Sequence, residues 1–112
     1  MAELAIDTRK DGDVVHLSLG GEFDLAGVPQ FQAVIAKVEA DAPAAIVLDL
    51  SDLDFMDSSG LRAIVTADAR ARKAGRRLAI VPGPPSVRGV FQITGLDAQL
   101  ELIEDAESVS AG

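Results

Sequence analysis

The chain predicts an α/β fold: a mixed, mostly parallel sheet of four to five strands, with an N-terminal β-hairpin and three to four helices. Three observations predict it. Alternating apolar and polar runs flank the pair Asp11-Gly12, which is the signal of a tight hairpin. Two short runs rich in β-branched residues, AAIVLDL at 44–50 and Arg77 to Val81, have the composition of strands buried on both faces. Between and after them apolar residues return at helical spacing, and strands alternating with helices imply parallel pairing.

Taken in order, Leu4 to Thr8 and Val14 to Leu19 form the hairpin. In its second arm Val15, Leu17 and Leu19 share one face while His16 and Ser18 share the other, so His16 is expected to be exposed. Gly20-Gly21 is expected to end that strand, leaving GEFDLAG as a loop. Pro29 suits the first turn of a helix, and Phe31, Val34, Ile35 and Val38 follow the i, i+3, i+4, i+7 rule over 28–40. Ala42-Pro43 breaks it. After the strand at 44–50, SDLDFM is expected to be a connection. Ser58 to Ala74 reads as a helix with Leu61, Ile64, Val65 and Ala69 inward. Arg70, Arg72 and Lys73 suit its negative end, and Gly75 suits its cap. The strand at 77–81, a short helix over 86–93 and a last strand at 100–103 complete the order β-β-α-β-α-β-α-β, and the acidic tail EDAESVSAG is expected to fray. Without repeat or linker, residues 1–112 read as a single domain.

Composition removes several functions. Ten Lys and Arg against eighteen Asp and Glu give a formal charge of -8, which opposes direct binding to nucleic acid or to anionic lipid. The absence of cysteine excludes disulfides, thiolate metal sites and a cysteine nucleophile. No run approaches the ~18–20 apolar residues of a membrane span. The start MAELAIDTRKDGD lacks the basic and apolar regions of a secretory signal, so a cytoplasmic protein is expected.

Catalytic patterns fare poorly. A serine nucleophile needs a base, the single histidine is His16 on an early strand, and the residues before Ser58 are Met56 and Asp57 rather than a G-x-S-x-G elbow. Lys10, Lys37 and Lys73 fall at turns and helix ends, which disfavours a Ser-Lys pair. Asp49, Asp52, Asp54 and Asp57 are Mg²⁺-type ligands, but no basic residue is placed to stabilise a transferred phosphate. Neither nucleotide-binding glycine motif is present. No cofactor is expected.

The stretch DFMDSSGLR at 54–62 holds more residues than a helix start needs. Asp57 or Ser58 can cap the first N–H groups, worth about 1 kcal/mol. One such residue suffices, and Gly60 costs up to ~1 kcal/mol as a helix former. A glycine there suits close approach of another chain, and an exposed serine at a helix N-terminus suits phosphorylation. Capping, modification and partner contact all remain open on these grounds.

FMDSSGL at 55–61 after AIVLDL resembles the signature of STAS domains, named for sulphate transporters and anti-sigma factor antagonists. GEFD at 21–24 resembles that family's loop after the second strand, and SVRGVFQITGL at 86–96 is similar to its short third helix. The resemblance spans about 4–106, and the motif Asp-Ser-Ser-Gly looks like that of bacterial anti-sigma factor antagonists. It implies a STAS-like single domain that is a binding module and kinase substrate rather than an enzyme. The implied partners are an anti-sigma factor serine kinase, which the unphosphorylated form binds to release a sigma factor, and a serine phosphatase that reverses phosphorylation. By motif position Ser58 is the implied acceptor, Ser59 a supporting residue or cap, and Asp24 and Asp57 lie near it, with Gly60 keeping the helix start accessible. Arg62 completes the implied partner-binding set, although its pattern alone reads as a solvated helix face. An alternative within the family is a subunit of a lipid-transport or signalling-scaffold complex that is not phosphorylated. The chain stops soon after Glu107, where many relatives carry a longer final helix.

Overall fold

The computed structural model describes residues 3–109. Five strands form one sheet in the order β1-β2-β3-β4-β5: Ala5–Asp11, Val14–Phe23, Ala45–Met56, Arg77–Val81 and Glu101–Leu102. The hairpin pair β1–β2 is antiparallel and every later pair is parallel. Three helices connect them: α1 (Val28–Ala40), α2 (Ser58–Lys73) and α3 (Pro85–Ile93). Single 3₁₀ turns occupy Leu25–Gly27, Leu96–Ala98 and Ala106–Ser108.

Alternation along the strands divides the interior in two. Val15, Leu17 and Leu19 of β2, Ile46, Leu48 and Leu50 of β3, and Leu78 and Ile80 of β4 share a core with the helices. There they meet Phe31 and Ile35 of α1, Leu61 and Ile64 of α2, and Val87 and Phe91 of α3. Burying each such side chain stabilises the fold by about 1.5–3 kcal/mol. The intervening residues Val14, Ala45, Val47, Ala79 and Val81 form a second, smaller cluster with Val109, flanked by Ile103 and Ala106.

Five expectations are corrected. Strands β2 and β3 run on through GGEF and SDLDFM to Phe23 and Met56, pairing side by side with register shifts at Ser18/Gly20 and Gly21/Glu22. His16 is 3 % exposed rather than a surface residue, because the chain after β5 covers its face of the sheet. In α2 the buried positions are Ala63, Ala67, Asp68 and Ala71 beside Leu61 and Ile64, while Ala69 faces solvent and Val65 is half-buried. The tail does not fray through Val109: residues 106–108 form a turn and Val109 is buried. The final three residues of that expectation lie outside the described residues. Strand β5 shortens to Glu101–Leu102, tied to β4 by the Arg77–Glu101 ion pair.

Candidate functional site

Strands β2 and β3 end together, and the backbone N–H of Asp57 donates to the carbonyl of Phe23 at 3.2 Å. Asp57 then has extended backbone, and its Oδ1 accepts from the N–H groups of Ser59 (2.9 Å) and Gly60 (3.1 Å). Its carbonyl accepts from Leu61 N–H at 3.1 Å, closing the first turn of α2. The cap is therefore Asp57, whose negative charge also suits the positive end of the helix dipole. Ser59 is not a cap; it is half-buried, and its own N–H is one of the two being capped. Ser58 is the first residue of the helix and is exposed.

Gly60 is buried beneath this turn. A Cβ there would stand 2.6 Å from the Phe23 carbonyl oxygen, 2.9 Å from Phe23 Cγ and 3.0 Å from Met56 Cγ. The close approach that needs a glycine is thus internal: α2 packs against the ends of β2 and β3. This internal contact is by itself a sufficient reason for glycine at position 60.

Arg62 is exposed one turn further along. With Ser58, Ser59 and Thr66 it lines a groove of about 230 Å³, closed on the other side by Leu25, Val28 and Gln32. Asp24 does not line this groove. Its Oδ1 caps the turn Leu25–Gly27 by accepting from Ala26 N–H at 3.1 Å, and its outer surface lines a neighbouring hollow with Glu22 and Gln30. The structure therefore gathers Ser58, Ser59 and Arg62 on one surface, sets Asp57 and Gly60 behind them, and puts Asp24 next door.

Two apolar residues at this end escaped the sequence reading. Leu25 is 71 % exposed at the groove and Phe55 is 48 % exposed three residues before Ser58. Both occur in stretches read as loop, where an apolar residue carries no periodic signal. Farther along the α1–α2 seam, Arg70 Nη2 stands 2.8 Å from Glu39 Oε1. That guanidinium holds the Glu39 carboxyl below its ordinary value. The acidic residues of β3 do not converge: Asp49 accepts from Ser51 N–H at 3.0 Å, while Asp52 and Asp54 are exposed strand residues. Among the described residues no helix is long and apolar enough to cross a membrane.

A family model described as "Mlab, STAS domain" matches residues 6–104. The anti-sigma-F factor antagonist RsfB of Mycobacterium tuberculosis is 32% identical over 111 residues, covering 97% of this chain and 88% of that protein. The anti-sigma-B factor antagonist of Staphylococcus aureus is 27% identical over 104 residues, 93% of this chain and 96% of that one. Among solved structures, an anti-sigma factor antagonist from Mycobacterium paratuberculosis has a TM-score of 0.83 at 26% identity, covering 95% of this chain and 90% of that chain. The anti-sigma factor antagonist SpoIIAA in its unphosphorylated form has a TM-score of 0.78 at 27% identity, with 93% and 92% covered. The phosphorylated form of the Bacillus protein gives 0.72 at 25% identity, with 93% and 96% covered.

Proposed function

We propose that this chain, which belongs to the STAS domain family and whose relatives are anti-sigma factor antagonists, is a binding module switched by phosphorylation of Ser58. The unphosphorylated form binds an anti-sigma factor that is also a serine kinase, so that a sigma factor is released in the cytoplasm. The kinase phosphorylates Ser58 with ATP, binding is lost, and a serine phosphatase restores it. The contact surface comprises Ser58, Ser59 and Arg62, with Asp24, Asp57 and Gly60 shaping it from the side and below.

The observation that carries this reading is the division of labour at the start of α2. Asp57 holds the cap, so the exposed Ser58 is not needed to stabilise the helix. A phosphate there adds about -1.5 to -2 charges at pH 7, at a helix end whose dipole favours anions. The domain need not refold. Charge and bulk enter an interface that fitted a hydroxyl, and a penalty of roughly 3 kcal/mol weakens binding more than 100-fold.

Incubation with the cognate kinase and ATP tests the assignment: label enters the wild type and is absent from Ser58→Ala. Label that persists in Ser58→Ala and vanishes in Ser59→Ala would move the acceptor by one residue. A pull-down from the source organism comparing wild type with Ser58→Asp tests the switch, with loss of the kinase expected from the aspartate variant. Equal capture of transport or scaffold subunits by both forms, with no kinase, would favour the unphosphorylated alternative.

A further inference from the structure

The sheet face opposite the helices buries one imidazole. His16 is 3 % exposed, and neither Nδ1 nor Nε2 has a hydrogen-bond partner among the described residues. Burying both nitrogens unpaired is costly, so the position calls for a partner of some kind. Two carboxylates stand beside it. Asp11 comes from the end of β1, and Glu107 comes from the turn Ala106–Ser108 that crosses this face. One ligand atom from each of Asp11, His16 and Glu107 lies within 4.8 Å of the other two. Arg9, opposite His16 on β1, donates from Nη2 to Glu107 Oε1 at 2.7 Å, leaving the second oxygen of that carboxylate.

We propose that Asp11, His16 and Glu107 form a binding site for a divalent transition-metal ion of the zinc class. One imidazole nitrogen and two carboxylate oxygens form a mixed donor set suited to Zn²⁺, whereas Ca²⁺ and Mg²⁺ prefer oxygen alone. With metal–ligand bonds of about 2.0–2.2 Å, tetrahedral ligands lie roughly 3.4 Å apart, so the present arrangement must draw in by at most about 1.4 Å. The two carboxylates carry rotatable side chains and do the moving, while the buried ring stays. Water takes the fourth position. Arg9 opposes the ion's charge, yet its bond occupies Oε1 and leaves Oε2 of Glu107 for the ion. The chain's charge of -8 favours uptake of a cation overall. The bound ion staples the C-terminal turn to the opening hairpin, on the face away from Ser58 and separate from its switching.

The test uses the full untagged chain, stripped with a chelator and titrated with Zn²⁺ by calorimetry. Single-site binding is expected, with a rise in Tm of roughly 5–10 °C when free Zn²⁺ is about ten times Kd. Because His16 is the sole histidine, its imidazole signals in a ¹H–¹⁵N spectrum report the ligand directly and are expected to shift with Zn²⁺. Glu107→Gln and Asp11→Asn change side chains at the surface and should each lower affinity by roughly tenfold or more. A wild type without heat, Tm change or imidazole shift overturns the site. So does binding undiminished in both variants, which would place the ion on other acidic groups.

Discussion

The two faces of the sheet are closed in different ways. On one, three helices bring Phe31, Ile35, Leu61, Ile64, Val87 and Phe91 against Leu and Ile side chains of the strands. On the other, residues 103–109 cover a narrow floor of Val and Ala, and His16 is buried there. The first face has large side chains from several distant elements, so its burial is deep and redundant. The second depends on one short segment held by Val109 and the Arg9–Glu107 ion pair. Stability should therefore reside on the helical face, leaving the other free to open at lower cost.

Paired truncations test that ranking by chemical denaturation. Ile64→Ala, which empties a fully buried position between α2 and the sheet, should cost about 2–5 kcal/mol. A loss there no larger than that of Val109→Ala would refute the contrast. Next comes Gly60→Ala. Alanine is the better helix former, but its Cβ meets the backbone oxygen of Phe23, which cannot swing aside. A net loss of about 1–3 kcal/mol is expected, and a neutral or stabilising result would mean that the ends of β2 and β3 yield. Val109→Ala should cost about 1–2 kcal/mol, since it removes two methyl groups from a small cluster.

The smallest effect belongs to the ion pairs. Arg70 and Arg77 hold the carboxyls of Glu39 and Glu101 below their ordinary value of 4.5 by hydrogen bonding, against desolvation. A depressed folded pKa means a contribution present above the ordinary value and lost as pH falls through the folded one. Arg70 and both partners of the Arg77–Glu101 pair reach solvent, so the contribution is small although Glu39 is mostly covered. The stability difference between wild type and Arg70→Gln should shrink as the pH is lowered from 5 towards 3 by about 2 units; a constant difference would assign the effect to packing of the Arg70 stem.

Much of the helical face was legible in the sequence. The interval 28–40 carries a clean helical period and a proline in its first turn, and it matches α1 end to end. Residues 77–81 likewise match β4, because a short β-branched run bounded by turn signals leaves few choices. The extensions of β2 and β3 were not legible, since their register shifts destroy the two-residue period on which strand recognition rests. In β3 the buried residues Leu50, Leu53 and Met56 fall three apart. His16 was misplaced for a different reason: the segment that covers it lies some ninety residues on and is acidic and small, so it looked like a solvated tail. At the candidate site, the serines, Arg62 and the acidic cap were visible as a motif. Which residue did the capping, and that Gly60 serves internal packing, depended on Phe23, whose strand had been ended too early.

The unequal lengths of β3 and β4 have a consequence for behaviour at high concentration. Pairing of β4 with β3 stops at Asp49↔Val81, so β3 projects seven residues beyond its neighbour. An unpaired strand edge is a template for pairing with another molecule. Here the first carbonyl beyond the paired stretch, that of Leu50, is met by Gly83 at such close range that a Cβ would stand 2.3 Å from it. Gly83 has a positive φ of 81° and sits among Pro82, Pro84 and Pro85, which have no N–H to offer an incoming strand. Farther out, Asp52 and Asp54 put like charges along the projecting segment. Of the four aspartates that are Mg²⁺-type ligands in the sequence, Asp52 and Asp54 thus place charges that oppose edge-to-edge pairing of the strand leading to Ser58.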